Sequence, residues 1–241
     1  MTADRDIERV LARRIHRQEI PVGATLPTVR ALAAEFDVTV PTIQRAVARL
    51  AATGLVVTRQ GSGITVQDPL ALGNLQIVGE LIEACADQPE RVGPLLADYL
   101  ELRRVLAAHL VRTRLPVLLE ALPAVVEAVA SAVDAEDLTE IAAADAALTR
   151  AVVEAAGNRA ISTVFHAIEQ LAVRVPAVAE ALYGDREAHR AAITGVAAAI
   201  AGADGDPVRA ASGVEDALQT WDDVSVARFG RQGTPAAAYQ P

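Results

Sequence analysis

The sequence predicts a mainly α protein with an N-terminal winged helix-turn-helix and a C-terminal all-helical bundle. The 241 residues fit two domains of roughly 100–150 residues each. The first part shows three helical segments followed by a glycine-rich hairpin, whereas the rest shows helical periodicity alone. We therefore predict a DNA-binding domain at 1–68, a linker at 69–75, a helical domain at 76–229 and a disordered tail at 230–241.

The composition is that of a folded, non-exported protein. Hydrophobic residues make up 52% of the chain, which is ample for a buried core. No apolar run reaches the roughly 18–20 residues that span a bilayer, and the first residues are charged where a signal peptide is apolar. Cys85 is the only cysteine, so we expect no internal disulfide, no cysteine metal site and a cytoplasmic location.

The charge of the chain is unevenly distributed. The net charge is -9, but residues 1–67 carry nine Arg against six acidic residues, and the remainder carries thirteen Arg against twenty-five. Electrostatic attraction to phosphate decays within a Debye length of about 10 Å. A mildly basic head is therefore compatible with double-stranded DNA as a partner, in spite of the acidic total.

The head follows the order helix, helix, turn, helix, hairpin. Thr28 is a candidate N-cap for the second helix, while Thr39 and Pro41 suit the start of the third. Gly54 suits the position just after that third helix. Two β-rich runs then surround a Gly-Ser-Gly turn at 61–63. The predicted helices span 5–17, 28–36 and 39–52.

The third helix and the hairpin are candidates for DNA contact. A helix fits the major groove and presents its N-terminal side chains to base edges, arginines neutralise phosphates, and a glycine wing approaches a groove closely. A solvated helix face is the alternative interpretation of the arginines. The candidate DNA-binding residues are Arg30, Thr39, Pro41, Thr42, Gln44, Arg45, Arg49, Arg59 and Gly61.

The head resembles the DNA-binding domain of the GntR family over about residues 8–67. The run LPTVRALAAEF matches the family's LPSERELA pattern, VTVPTIQRAV matches GVSRTTVREAL, and GLV with a glycine-rich wing follows. Arg30 and Thr42 coincide with the family's Arg and second Thr, and Thr39 stands where the family has the Ser that opens the recognition helix. At DNA-facing positions the chain departs from the pattern, with Pro41 and Gln44 in place of Thr and Arg, so we expect a different operator preference.

The body reads as consecutive helices separated by Pro, Gly and Asp breakers. Asn158 after Gly157 is interpreted as a helix-end residue. The predicted helices span 76–87, 92–113, 115–132, 136–156, 159–180, 186–202 and 206–229.

Three segments of the body resemble the FCD effector domain, which defines the FadR-type branch of GntR regulators. They are DYLELRRVLAAHLV at 98–111, DAALTRAVVEAAGN at 145–158 and AHRAAITGVAAAIAGADGDPVRAA at 188–211. Many domains of this family are six-helix bundles that hold a divalent metal through one Asp and three His. The resemblance therefore implies a helical fold that binds a small effector.

The metal ligands of that family are only half present. Asp145 and His189 match two ligand positions, whereas Thr149 and Ala217 stand where two His belong. One Asp and one His are too few for a tight transition-metal site. We therefore expect no required cofactor, and a divalent metal would have at most Asp145 and His189, supplemented by Asp216 or by an acidic effector.

The same positions predict a metal-free effector site formed by Arg103, Asp145, Thr149 and His189. An arginine offers two parallel hydrogen bonds to a carboxylate, so an organic acid is the expected effector. The alternatives are structural: His189 on the surface beside Glu187, Arg103 against the ring of Tyr99, and Asp145 in solvent.

No catalytic motif accompanies these features. The chain lacks a nucleophile elbow, a phosphate-binding G-x-x-x-x-G-K-[ST] loop and a G-x-G-x-x-G turn in a βαβ unit, so we expect no enzyme. The leading hypothesis is an effector-controlled transcriptional regulator, most simply a repressor, that binds operator DNA as a homodimer. The alternative is a constitutive DNA-binding or scaffolding protein whose effector domain is degenerate.

Overall fold

The computed structural model describes residues 3–59, 61, 63–72, 75–134 and 137–232. The chain forms two compact units, residues 1–85 and 86–241. Each unit has its own buried apolar cluster. The predicted fold class, a winged helix-turn-helix followed by a helical bundle, is confirmed.

The first unit packs three helices and a two-stranded hairpin around one core. The first helix buries Leu11 in this core, and the third helix buries Ile43 and Leu50. The strands pair antiparallel from Val56 opposite Val66 to Arg59 opposite Gly63. The elements are α1 (Ala3–His16), α2 (Val29–Glu35), α3 (Val40–Thr53), β1 (Val56–Arg59), β2 (Gly63–Val66), a short 3-10 helix (Leu70–Leu72) and α4 (Leu75–Ala84).

Local sequence explains the ends of these elements. The Thr28 hydroxyl accepts a hydrogen bond from the Ala31 N–H at 3.1 Å, so the predicted cap of α2 is confirmed. Thr39 does precede α3, but its hydroxyl makes no cap bond and contacts Thr42 instead. Gly54 ends α3 in the left-handed conformation, with φ of +87°.

The boundary between the units lies later than the sequence indicated. We predicted that the helical domain begins at 76, but α4 belongs to the first unit. Ile77 is 1% exposed within the core of that unit, and the Arg17 guanidinium donates to the Ala84 carbonyl at 2.9 Å. The segment predicted as a linker also contributes, because Leu72 packs against the same core. Residues 73–74 of that linker lie outside the described residues.

The second unit consists of helices, with α10 packed along α5 and α9. Within it, α5 is kinked at Arg114 (φ −132°, ψ 15°), two residues before Pro116. This kink separates two helical segments at residue 114, where the predicted helices 92–113 and 115–132 meet, so that division is confirmed. The elements are α5 (Pro89–Asp134), α6 (Leu138–Ala155), α7 (Arg159–Arg174), α8 (Pro176–Tyr183), α9 (Arg186–Ala201) and α10 (Pro207–Gln232).

Two further boundaries differ from the prediction. The segment 159–180, predicted as one helix, divides at Val175, because the residue before Pro176 is held out of the helical conformation. The final helix continues to Gln232, so residues 230–232 are helical rather than part of the predicted tail. The rest of that tail, 233–241, lies outside the described residues.

Candidate functional site

The N-terminal half of α3 exposes a row of polar side chains joined by hydrogen bonds. The hydroxyl groups of Thr39 and Thr42 lie 2.9 Å apart, and Nη2 of Arg45 donates to the Thr42 hydroxyl at 3.4 Å. Pro41 and Gln44 are also exposed on this helix. The spacing of three residues places the Thr–Thr–Arg row on one side of the helix, where it is available to a partner.

The remaining predicted DNA-binding residues are distributed over α2 and the hairpin. Arg30 is exposed on α2, and Arg59 is exposed at the end of β1. Gly61 lies in the turn between the strands with φ of +83° and open space around it. That backbone conformation favours glycine, as a tight wing requires.

Arg49 has a structural role that the sequence did not suggest. Its Nε lies 3.2 Å from Oδ2 of Asp4 and 3.7 Å from Oε2 of Glu8, so α3 is tied to α1. Asp4 is buried in this arrangement. The charge of Arg49 is therefore partly compensated within the protein, and it is a weaker candidate for phosphate contact than Arg45.

A partly open cavity of about 130 Å³ lies among the helices of the second unit. Its wall comes from α5, α6, α7, α9 and α10, and it is largely apolar. Arg103, Asp145 and Thr149, three of the four predicted effector residues, contribute the charged and hydroxyl groups of the wall. Trp221 also lines it, but its indole N–H donates to the Leu182 carbonyl at 2.9 Å and is not available to a ligand.

His189, the fourth predicted residue, forms a buried cluster with Asp145. Its Nε2 lies 3.3 Å from Oδ1 of Asp145, and the Tyr183 hydroxyl donates to Oδ2 at 2.9 Å. The Tyr183 and His189 rings meet edge to face, with centroids 5.0 Å apart. Burial, and then the neighbouring Asp145 carboxylate, raise the pKa of Tyr183 well above its ordinary value, so the phenol stays protonated and acts as donor.

Arg103 is already paired with a carboxylate of the protein. Its Nη2 lies 2.5 Å from Oδ1 of Asp222, while Nη1 of Arg104 lies 2.8 Å from Oδ2 of the same residue. The Arg103 guanidinium carbon also lies 4.5 Å from the centroid of the Trp221 ring. Burial raises the pKa of the Asp222 carboxyl, and the two guanidinium groups oppose that rise.

These contacts contradict the solvent-exposed placements that the sequence left open for His189, Asp145 and Arg103. His189 and Asp145 are buried rather than solvated. Arg103 stacks on Trp221 rather than resting on Tyr99 with its charge in water. Asp216, considered as a supplementary ligand, is exposed.

Glu169 on α7 was not among the site residues predicted from the sequence. Both of its carboxylate oxygens are shielded from solvent. Within the described residues, no donor lies at a distance and angle that would form a hydrogen bond with either oxygen. Burial, and then the Asp145 carboxylate, raise its pKa to about 7, while Arg150, Arg103 and the Thr149 hydroxyl oppose the rise. The sequence did hold a signal, because Glu169 follows the apolar Phe165 by four residues and therefore shares its helical face.

A second cavity of about 30 Å³ adjoins this polar group. Arg103, Asp145 and Thr149 line both cavities, and Glu169 and Tyr183 line the smaller one. The polar side chains therefore form the shared wall between the two spaces.

The donor set does not fit the divalent metal that the FCD resemblance implied. Asp145 and His189 contact each other, and Tyr183 occupies the second Asp145 oxygen. Thr149 and Ala217 supply no imidazole at the other two positions. Across the ranges that the structure describes, no group of three or more His, Cys, Asp or Glu is arranged to hold a metal ion.

No helix in the described part of the chain is long and apolar enough to cross a membrane.

The chain is similar in sequence to a bacterial regulator. An uncharacterised HTH-type transcriptional regulator of Mycobacterium tuberculosis, Rv0494, is 29% identical over 171 residues, which are 69% of this chain and 66% of that protein. The chain thus spans just under two thirds of the length of that relative.

Solved structures of similar proteins are more distant. A GntR-family regulator from Pseudomonas syringae pv. tomato is 18% identical, with a TM-score of 0.48 and coverage of 95% of this chain and 85% of that one. Lar of Listeria monocytogenes is 16% identical, with a TM-score of 0.46 and coverage of 97% of each chain.

Family models match both units of the chain. Residues 3–66 match the model described as bacterial regulatory proteins, gntR family, and residues 98–214 match the FCD domain. The match to a family of regulatory proteins confirms the prediction that this protein is a regulator rather than an enzyme. Its DNA-binding domain is a winged helix-turn-helix, and an FCD domain follows it. The chain belongs to the GntR family of bacterial regulatory proteins.

Proposed function

We propose that this GntR-family protein is a transcriptional repressor of the FadR-type branch. In this proposal a homodimer in the bacterial cytoplasm binds a pseudo-palindromic operator, and a small molecule bound within the helical unit controls that binding. A two-fold dimer presents two recognition helices to successive major-groove faces, which is the reason for expecting a palindromic site.

The exposed polar row on α3 is the observation that carries the proposal. Thr39, Thr42 and Arg45 are linked by hydrogen bonds near the N-terminus of a helix that ends beside a glycine-containing hairpin. Helix N-terminal side chains of this kind reach base edges in a major groove. The row lies in the part of the chain whose arginines outnumber its acidic residues.

The cavity in the second unit supports control by an effector. An effector shifts DNA binding only through the difference between its affinities for the DNA-competent and DNA-incompetent conformations. The organic acid expected from the sequence required an available Arg103, yet that guanidinium already bonds to Asp222. A carboxylate effector would therefore meet a guanidinium whose charge Asp222 already compensates, which makes an acid a poorer candidate than the sequence suggested.

Selection from a random pool of duplexes tests the DNA-binding part of the proposal. The purified full chain should enrich a short inverted repeat and should retard that duplex in a gel at lower concentration than a scrambled one. If no duplex is preferred, operator binding is excluded as the function.

The variant Arg45→Ala tests the recognition face. Each lost phosphate contact should reduce the slope of log K against log salt by about 1. We expect that reduction in fluorescence anisotropy titrations with the selected duplex. Arg13→Ala, which removes an exposed arginine from α1, is the matched control and should leave the slope unchanged. An unchanged slope for Arg45→Ala would remove Arg45 from the interface.

A second candidate is a constitutive DNA-binding or scaffolding protein. The observation favouring it is the presence of Thr149 and Ala217 where the family's metal-binding domains have His. It predicts that DNA affinity is unaffected by any small molecule that the helical unit binds, which the same anisotropy titrations measure.

A further inference from the structure

We propose that the effector is a compact, uncharged, mainly apolar molecule with one polar head that both donates and accepts hydrogen bonds, such as an alcohol or a primary amide. The inference rests on the proposed function of the second unit as an effector domain. It replaces the organic acid with a different chemical class at the same cavity.

The size of the cavity limits the effector. A dry, apolar cavity of roughly 150 Å³ in a protein core accommodates benzene. The cavity of about 130 Å³ therefore matches a single small ring or a short branched chain. The adjoining space of about 30 Å³ is the volume of roughly one water molecule and matches one small polar group.

The wall of the larger cavity requires an apolar ligand body. Away from the shared polar wall, its lining is aliphatic and aromatic. The apolar residues come from four helices: Leu110 of α5, Phe165 of α7, Ile193 and Ile200 of α9, and Leu218 of α10. A polar ligand body would lose its hydrogen bonds to water here without replacement, which costs several kcal/mol for each group by water-to-hydrocarbon transfer, on the order of 2–7.

The charges around the polar wall balance when Glu169 is protonated, the form that its raised pKa of about 7 favours below neutral pH. The two guanidinium groups of Arg103 and Arg104 face the Asp222 carboxylate, and Asp145 supplies the second negative charge. An anionic head would add uncompensated negative charge beside Asp145 and Glu169. A cationic head would add uncompensated positive charge beside Arg103. Because an unpaired charge is costly in such a poorly hydrated site, an uncharged head is favoured over both.

The polar wall nevertheless offers both hydrogen-bond donors and acceptors. Among the described residues, Nε of Arg103 is buried without a hydrogen-bond partner, and Arg103 and the hydroxyl-bearing Thr149 line both cavities. The shielded Glu169 oxygens are acceptors. A hydroxyl or a primary amide satisfies groups of both kinds, whereas a carboxylate only accepts and an ammonium only donates.

Matched probes that differ only in the head group test the inference. We would measure the melting temperature of the full chain with benzyl alcohol, benzylamine and benzoate, and with cyclohexanol, cyclohexylamine and cyclohexanecarboxylate. At a concentration about ten times the dissociation constant, a bound probe should raise the melting temperature by roughly 3–6 °C. We expect saturable stabilisation by an alcohol and at least a tenfold weaker apparent affinity for the corresponding amine and acid.

Variants that fill the cavity test whether the alcohols bind there. Val196→Phe places a larger side chain in the wall and should abolish stabilisation by the alcohols, and Ala197→Leu provides a second filling variant in case the first does not fold. Val173→Phe makes the same change as the first variant at an exposed position of α7 outside the cavity and should retain the response.

The outcomes distinguish this inference from the proposed function. Stronger stabilisation by an acid or an amine, or no stabilisation by either alcohol, would overturn the neutral-ligand inference while operator binding stands. Stabilisation that survives both filling variants would also overturn it. If the chain enriches no duplex but the alcohols bind as described, the ligand class stands and the proposed regulation of DNA binding fails.

Discussion

At the scale of single residues, the buried charges of the second unit are explained by specific partners. Asp222 joins Arg103 and Arg104, while Asp145 joins His189 and Tyr183. Glu169 is the exception, because its oxygens are shielded from solvent without a hydrogen bond of full geometry. A carboxyl group in this position is more easily buried in its protonated form.

Glu169 should therefore make the stability of the protein depend on pH. Its pKa is raised from 4.5 to about 7 in the folded state, so the folded chain holds a proton that the unfolded chain releases between these values. The free energy of unfolding should fall as pH rises through this interval. Glu169→Gln should be more stable than the wild type near about pH 8 and equally stable near about pH 4.

Urea denaturation across this pH range measures the difference between the two proteins. The acidic end of the series is the internal control, because there both side chains are largely uncharged in the folded and unfolded chains. A constant difference at every pH would contradict a titrating role for Glu169.

At the scale of elements, helix ends in the second unit are set by local side-chain caps. Oδ1 of Asp137 accepts from the Thr139 N–H at 2.7 Å, and Oδ1 of Asp185 accepts from the Ala188 N–H at 3.0 Å. Asn158, interpreted from the sequence as a helix-end residue, caps α7 in the same way. Such caps satisfy backbone N–H groups that have no partner within the helix, which is why they are readable from short stretches of sequence.

The end of α3 depends in the same local way on Gly54. Its φ of +87° is unfavourable for residues with a side chain, and a Cβ there would lie 3.1 Å from Cδ2 of Leu72. We expect Gly54→Ala to reduce the free energy of unfolding by about 1–2 kcal/mol. Urea denaturation followed by circular dichroism measures this loss.

Gly230→Ala is the matched control for that variant. Gly230 lies within α10 with nothing within 4 Å of an added Cβ, so alanine should be neutral or should stabilise the helix by up to about 1 kcal/mol. Equal effects of the two substitutions would exclude the backbone conformation of Gly54 as the cause.

At the scale of the whole molecule, the two units differ in composition and in core. The first unit carries nine Arg and nine acidic residues, whereas the second carries thirteen Arg and twenty-two acidic residues. Each unit buries a separate apolar cluster, and α4 belongs to the first of them. The boundary is therefore defined by which core a helix completes rather than by the position of Pro and Gly in the sequence.

This boundary predicts the behaviour of fragments of the head. A fragment that ends at Cys85 should be more stable than one that ends at Leu72, because the longer one buries Ile77 in the head core. Burial of one such side chain contributes about 1.5–3 kcal/mol. Thermal melting by circular dichroism compares the two fragments, and Ile77→Ala in the longer one should remove most of the difference. Equal melting temperatures would place α4 outside the folding unit of the head.

Much of the candidate recognition face was predictable because its signals are local. The N-cap of α2, the Pro at the start of α3, the glycine at its end and the hairpin turn each involve residues close in sequence. The competing role of Arg49 was not predictable in this way, because Asp4 and Glu8 lie on another helix.

The sequence by itself determined the fold class and the family. It also identified most of the polar residues on the exposed face of α3 and in the cavity wall. Only the tertiary structure decided that Arg103 is engaged by Asp222, that α4 completes the head, and that Glu169 joins the polar wall. The physical reason is the range of the interactions: caps, turns and periodicity act over a few residues, whereas ion pairing, burial and cavity shape depend on which helices pack together.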